Sequence, residues 1–249
     1  MADSLRLYAL KGVVTGAAEG IGEAVARTFA KHGASVLAVD SPDTRIGMVF
    51  RKVKGITALA VEHDELVERL PAAAREHLQG LDILVNNFPW LADPAPEEEG
   101  AEERPKADRW FESIEMTSKS VLPLLKKSPA GRIINVGALR SSFGRDGDAA
   151  FAATRDALAE LTASQAAEYG AFGITANYIQ PGAVMTPESR AVFEADKAFR
   201  DWCIARSAAK RLGEPVDVAK VALFLASDDS VFVSGTGIKA DGGSVREPG

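Results

Sequence analysis

The sequence has few of the residues that build disulfide frameworks or metal sites. Its 249 residues include one cysteine, Cys203, which excludes an internal disulfide and any site made of several thiolates. The three histidines, His32, His63 and His77, are scattered and show no spacing typical of metal ligands. We therefore predict no metal site.

The sequence also has fewer basic than acidic residues. Lys and Arg number 29 against 35 Asp and Glu, so the net charge is −6, and no basic block occurs. Nucleic acids and anionic membranes bind surfaces with excess positive charge, so we expect neither as a partner. No apolar run approaches the roughly 20 residues of a membrane helix, and the first twelve residues lack the apolar core of a secretion signal. We predict a cytoplasmic protein.

The chain does contain a regular alternation of short apolar runs and longer helical patterns. This alternation is typical of a parallel sheet with crossover helices. We predict one domain over residues 1–249, an α/β fold whose single Rossmann-type, doubly wound parallel sheet of about seven strands carries helices on both faces. The predicted strands are Leu10–Val14, Ser35–Val39, Thr57–Val61, Leu81–Asn86, Arg132–Val136, Thr175–Ile179 and Gly237–Ala240. The predicted helices are Gly20–Lys31, Glu65–Glu76, Arg109–Lys127, Ala149–Tyr169 and Val216–Ala226.

Three segments do not follow the alternation. Asp43–Lys52 is short for a crossover helix, and the acidic, proline-bearing segment Pro94–Lys106 predicts a solvated loop. We assign Pro187–Ala209 to a substrate-loop region. Within it we interpret Phe199 and Trp202 as apolar cover, and Cys203 as a small core residue rather than a nucleophile, because no histidine is near it in sequence.

A glycine-rich turn, Thr15–Gly22, follows the first strand and opens the first helix. Gly16 permits a sharp turn, while Gly20 and Gly22 let the backbone approach a pyrophosphate. The amide groups at the start of the helix then face the phosphates. This arrangement predicts a dinucleotide site.

An acid at the end of the second strand, Asp40, is placed to accept hydrogen bonds from an adenosine ribose. Asp40 and Glu19 would repel a 2′-phosphate, and no Arg or Lys lies where one would be held, so the sequence favours NAD over NADP. The alternative is that Asp40 only caps the turn at Ser41-Pro42.

The glycine spacing resembles that of the short-chain dehydrogenase/reductase family, and six further segments agree: Asn86-Asn87, Gly131–Val136, Asn177–Gly182 with Thr186, Arg211–Pro215, Phe224–Ser227 and Asp241–Gly243. The resemblance runs from about Leu7 to Val245. It implies an NAD site formed by Gly16, Glu19, Gly20, Ile21, Gly22, Asp40, Asn87, Arg155, Pro181, Gly182 and Thr186.

The resemblance also implies a catalytic Tyr, a Lys four residues later and a Ser thirteen residues earlier. Counted from Asn177, the Tyr position holds Phe151, the Lys position Arg155 and the Ser position Ala138. Phe151 cannot exchange a proton and Ala138 cannot donate a hydrogen bond. The predicted catalytic positions are therefore degenerate.

A fourth family position, an Asn on the preceding helix, has two alignments. Counting from Gly131 and Pro123 places Trp110 there, whereas aligning Trp110 with a family Trp places Thr117 there. Neither residue is Asn, so no alignment restores the catalytic set.

A further departure is Phe88-Pro89, which replaces the family's Ala-Gly after Asn87 and predicts weakened or lost NAD binding. We considered whether nearby polar residues replace the lost groups. Ser141 and Ser142 are interpreted as loop residues, and Tyr178 as pointing at a helix layer; the other candidates are Asp146 and Asp148.

Three hypotheses follow. The first is a non-catalytic subunit that supports an active family member in an alcohol dehydrogenase, possible partners including a hydroxyacyl-CoA-type enzyme. This pseudoenzyme would form a homo- or hetero-oligomer through the helices over residues 109–127 and 149–169, with small residues at the contact: Ser118, Ala157, Ala163 and Ala167. The others are a divergent stand-alone NAD-dependent oxidoreductase and an NAD-binding sensor or scaffold.

Overall fold

A seven-stranded parallel sheet forms the centre of the protein. The computed structural model describes residues 5–88, 104–137 and 149–244, without the side chains of residues 104–108 and 149–154. The strands are β1 (Lys11–Thr15), β2 (Ser35–Asp40), β3 (Ile56–Ala60), β4 (Ile83–Asn86), β5 (Arg132–Val136), β6 (Thr175–Pro181) and β7 (Gly237–Ala240). Every neighbouring pair is parallel, in the order β3-β2-β1-β4-β5-β6-β7. The predicted Rossmann-type sheet is confirmed.

The helices connect these strands. They are α1 (Gly20–Lys31), α2 (Ile46–Val49), α3 (Leu66–Leu78), α4 (Arg104–Leu125), α5 (Ala149–Tyr169), α6 (Pro187–Ala195), α7 (Lys197–Arg206) and α8 (Pro215–Ala226). α1 and α5 have the predicted bounds. α4 begins before the predicted Arg109 and ends before Lys127, so the last residues of Pro94–Lys106 are helical; residues 94–103 lie outside the described residues. Asp43–Lys52 holds only a 3₁₀ turn (Pro42–Thr44) and the single-turn α2.

The segment assigned to a substrate-loop region contains two helices, and its contact with substrate stays a prediction. Thr186 starts α6 with a capping box, in which its hydroxyl accepts from the Ser189 amide and the Ser189 hydroxyl accepts from the Thr186 amide. The Asp196 carboxylate caps α7 by accepting from the Phe199 amide at 2.8 Å. Pro187 at the first helical position was the sequence signal for this start.

Two apolar cores flank the sheet. One lies between the sheet and helices α1 and α8, with Phe29 and Leu225 fully buried; the other lies against α3, α4 and α5, with Leu70 and Ile114 fully buried. Tyr178 packs against the second core, as predicted. Cys203 is buried in the α6–α7 region at 4% exposure. Over the described ranges, no helix is both long and apolar enough to cross a membrane.

A buried polar network ties the second helix layer to the sheet. The Asn135 amide of β5 donates to Thr162 Oγ1 at 3.0 Å and to Gln165 Oε1 at 2.9 Å on α5, and its oxygen accepts from Asn86 Nδ2 at 2.8 Å on β4. Ser118 Oγ on α4 accepts from Asn86 at 3.0 Å and from Gln165 at 3.2 Å. The interpretation of Ser118 as a small contact residue for a partner is wrong, because its side chain is fully buried in this network.

Candidate functional site

The glycine turn between β1 and α1 needs its glycines for its own conformation. Gly16 and Gly20 have φ angles of +55° and +58°, a region that favours glycine. A Cβ on Gly22 would lie 1.9 Å from the Gly16 carbonyl oxygen. The three glycines are therefore required by the fold before any ligand is considered.

The start of α1 is open to an acceptor. The side chain of the N-cap residue Glu19 caps no amide of the helix. The backbone bond that starts the helix runs from the Glu23 amide to the Glu19 carbonyl at 3.2 Å. Uncapped amides at a helix N-terminus are a suitable environment for a phosphate. This part of the site fits a pyrophosphate.

Asp40 holds the glycine turn against β2. Its carboxylate accepts from the Ala18 amide at 2.7 Å and from the Ser41 amide at 2.8 Å. The bond to Ser41 is the turn-capping role left open as an alternative above. Burial raises the pKa of Asp40, although the two amide bonds act in the opposite direction. Partial burial, followed by the charges of Asp40 and Glu23, raises the pKa of Glu19, whose side chain is still largely exposed.

Asn87 joins the end of β4 to the same turn. Its backbone amide donates to Thr15 Oγ1 at 2.9 Å, and its side-chain amide donates to the Gly16 carbonyl at 2.9 Å. The residue is 5% exposed. Its polar groups thus stabilise the turn from within.

The loop after β6 closes on the glycine turn. A Cβ on Gly20 would meet the Thr186 side chain at 3.4 Å and Pro187 Cδ at 3.9 Å. Thr186 is 3% exposed and its hydroxyl caps α6. Gly182, which follows Pro181, packs so closely on Asp241 that a Cβ would lie 2.6 Å from its Cα. The structure therefore brings two of the predicted residues, Gly20 and Thr186, together at the carboxyl ends of the strands.

The structure describes some of the positions at which the sequence predicts a degenerate catalytic set. Arg155 lies one turn after Phe151 on α5, is half-buried, and pairs with Asp156 at 3.1 Å. In α4, Trp110 is 1% exposed and Thr117 fully buried, so both candidates for the Asn position lie in the protein interior. Pro89, Ala138, Ser141, Ser142, Asp146 and Asp148, all named above, lie outside the described residues, as does the Phe151 side chain.

Side chains from three segments that are distant in sequence meet just after β4. Phe88 is 2% exposed, and its ring meets the His63 ring edge to face at 5.9 Å. His63 Nε2 lies 2.9 Å from Ser113 Oγ of α4, and burial lowers the pKa of the imidazole. These side chains form a packed group just after β4. The glycine turn and the start of α1 are the part of the site that fits a pyrophosphate.

Comparisons with known proteins agree with this architecture. A family model described as enoyl-(acyl carrier protein) reductase matches residues 16–244. The 3-oxoacyl-[acyl-carrier-protein] reductase FabG of Vibrio cholerae is 31% identical over 242 residues, covering 93% of this chain and 95% of the relative. The oxidoreductase UcpA of Escherichia coli K12 is 33% identical over 251 residues, covering 96% and 95%.

Solved structures show the same likeness. A protein described as an NAD(P)-dependent gluconate 5-dehydrogenase from Beutenbergia cavernae, with NADP bound at low occupancy, superposes with a TM-score of 0.80. It is 29% identical, and the match covers 96% of this chain and 98% of that one. A second solved structure, described as a gluconate dehydrogenase from Agrobacterium tumefaciens, has the same TM-score, 0.80, and the same identity, 29%.

Proposed function

Because the chain belongs to the short-chain dehydrogenase/reductase family of oxidoreductases, we propose that it is the non-catalytic subunit of an oligomeric dehydrogenase whose active sites lie in a second family member. The observation that carries the proposal is the set of residues at the catalytic positions: Ala138, Phe151 and Arg155 in place of Ser, Tyr and Lys. Removing one acid/base group alone costs about 10²–10⁴ in rate. Replacing all three removes the proton-transfer chemistry.

The internal use of the glycine turn supports this proposal. Gly22, Asp40 and Asn87 each make contacts that hold the fold together, so their retention does not require a bound nucleotide. A chain selected only for its shape would keep these residues while losing its catalytic groups. Under this proposal, a chain can keep the glycine turn and still lose the catalytic side chains.

The surface of α5 supplies a place for the partner. Ala163 and Ala167 are exposed and one turn apart, which suits close approach of a second helix, and Ala157 is half-buried. We propose that α4 and α5 form the contact with the partner subunit. The substrate of the assembly would be a secondary alcohol, such as a hydroxyacyl-CoA.

The test is co-expression with candidate family members from the same genome, followed by native mass spectrometry and NAD-dependent alcohol oxidation. We expect no turnover by this chain alone and a stable complex with a family member that carries an intact Ser-Tyr-Lys set. Turnover of a secondary alcohol by the isolated chain would refute the proposal.

A divergent stand-alone oxidoreductase is the second candidate, favoured by the reductase and oxidoreductase relatives. If it is correct, restoring Tyr and Lys through Phe151→Tyr and Arg155→Lys should not raise activity, since the native site is organised otherwise. The third candidate, an NAD sensor or scaffold, requires NAD binding; Asp40 and Glu19 would select NAD over NADP by repelling a 2′-phosphate. Calorimetry that detects no NAD or NADH binding at millimolar concentration would exclude it.

We also propose a cytoplasmic location, on the sequence alone. A single cysteine, which cannot form an internal disulfide, suits a reducing compartment. Fractionation of the native host with an antibody to the chain would test this.

A further inference from the structure

Two aromatic side chains meet across the carboxyl end of the sheet. His63 follows β3 and Phe88 follows β4, and in the sheet order these strands are separated by β2 and β1. Three strand spacings amount to about 14 Å. The two ring centroids are nevertheless 5.9 Å apart, at an interplanar angle of 85°. The side chains therefore reach towards each other over the ends of the two intervening strands.

This position coincides with the adenosine end of a dinucleotide site. In doubly wound sheets the ligand lies outside the carboxyl ends of the strands, with the ribose at the acid that ends the second strand. That acid is Asp40 here; it ends β2, which lies between β3 and β1, so the contact between His63 and Phe88 crosses the end of the same strand. An adenine attached to a ribose at Asp40 would have to enter the space that the Phe88 ring fills.

Contacts from α4 hold the pair in place. Trp110 Nε1 donates to the Phe88 carbonyl at 3.2 Å, and Trp110 is itself 1% exposed. Ser113 Oγ donates to the Arg109 carbonyl at 2.7 Å, so its lone pair accepts from His63 Nε2–H at 2.9 Å. Burial lowers the pKa of His63, which keeps the imidazole neutral beside the phenyl ring. Two residues of α4 thus fix the Phe88 backbone and the His63 ring.

We propose that Phe88 is a built-in occupant of the adenine subsite, held there by His63 and Trp110, so that the folded chain does not accept the adenosine half of NAD. The carboxyl end of the sheet then keeps the shape that it has in a family member with bound cofactor, although no cofactor is bound. This inference goes beyond the loss of catalytic groups, because it concerns binding rather than proton transfer. It holds whether or not the partner subunit is found.

The expected size of the effect follows from burial of one phenyl ring. To admit adenine, Phe88 must leave its site for water, and full burial of such a ring contributes enough to weaken binding about 10- to 150-fold. Phe88→Ala removes that competition. We expect it to raise the affinity for adenosine 5′-monophosphate and for ADP-ribose by at least about tenfold.

The experiment is isothermal titration calorimetry of the full chain with adenosine monophosphate, ADP-ribose and nicotinamide mononucleotide. Phe88→Ala should gain affinity for the first two and leave nicotinamide mononucleotide unchanged. The matched control is Phe29→Ala, which empties an equally buried phenyl site in the α1 core, on the other face of the sheet. It should gain no affinity for any of the three.

Circular dichroism establishes that each variant is folded. If Phe88→Ala does not fold, Phe88→Leu keeps the apolar volume while losing the flat ring, and should show a smaller gain of the same kind. The inference is overturned if the wild-type chain binds adenosine monophosphate as tightly as the folded variant does. A turnover assay on the same wild-type sample separates this result from failure of the proposed function.

Discussion

Asn135 lies at the centre of the buried network between β4, β5 and α5, and Asn135→Ala is expected to lower the free energy of unfolding by about 3 kcal/mol. The side chain is fully buried and makes three hydrogen bonds, at 2.8, 2.9 and 3.0 Å. Each contributes about 0.5–1.5 kcal/mol net, which sums to roughly 1.5–4.5 kcal/mol. The middle of this range applies because Asn86 and Gln165 both keep a bond to Ser118.

The assay is urea unfolding followed by circular dichroism, at a fixed protein concentration because association shifts apparent stability. For a chain of this size, about 3 kcal/mol corresponds to a fall in Tm of roughly 6–12 °C. A loss below about 1 kcal/mol would contradict the account, since it would mean that the partners of Asn135 find equivalent bonds without it.

Asn135→Asp provides an isosteric comparison. A carboxylate cannot donate to Gln165 Oε1, and burial would raise its pKa above the unfolded value. A raised carboxyl pKa contributes stability below the unfolded pKa that is lost as pH rises through the folded pKa. We therefore expect Asn135→Asp to be more destabilised relative to wild type at pH 7 than at pH 5, whereas the deficit of Asn135→Ala should not depend on pH.

Three further outcomes are expected. Burial lowers the pKa of His63, so the neutral imidazole contributes its full share of the folding free energy above about pH 6.5, and this share is lost as pH falls through the folded pKa. In urea titrations from pH 7 to 5, His63→Gln should therefore lose less stability than wild type. The exposed control His77→Gln should lose as much stability as wild type. Gly237→Ala should destabilise by about 1–3 kcal/mol, because the new Cβ would lie 2.0 Å from a tyrosine ring, whereas Gly47→Ala, with nothing within 4 Å, should be neutral in thermal unfolding. Ala167→Arg on the exposed face of α5 should reduce oligomer mass in analytical ultracentrifugation without lowering Tm by more than a few degrees; an unchanged mass would exclude this face as the contact.

Much of the fold follows from local sequence patterns. The apolar runs that form β1 and β5, and the periodicity of α1, are each contained in a few consecutive residues, and each matches the structure within one or two positions. The glycines at Gly16 and Gly22 are required by the geometry of one turn, so their spacing predicts that turn directly. The substitutions at the catalytic positions are a prediction that rests on spacing alone.

Other features depend on contacts between distant residues. His63 and Phe88 are separated by three strand positions, and nothing near either residue in sequence indicates that their rings meet. The direction of Ser118 is set by the rotation of α4 against the sheet, which places it in the network rather than on the surface.

The same distinction applies to the dinucleotide site. The sequence by itself determined the parallel sheet and the glycine-rich turn after β1, and it predicts substitutions at the catalytic positions, because these features depend on residue type and short-range spacing. Only the tertiary structure decided that Asp40 and Asn87 are engaged by the turn and that Phe88 lies buried against His63. The physical reason is that an aromatic side chain in a loop is directed by the surfaces it can bury, and those surfaces belong to strands and helices that are far apart in the chain.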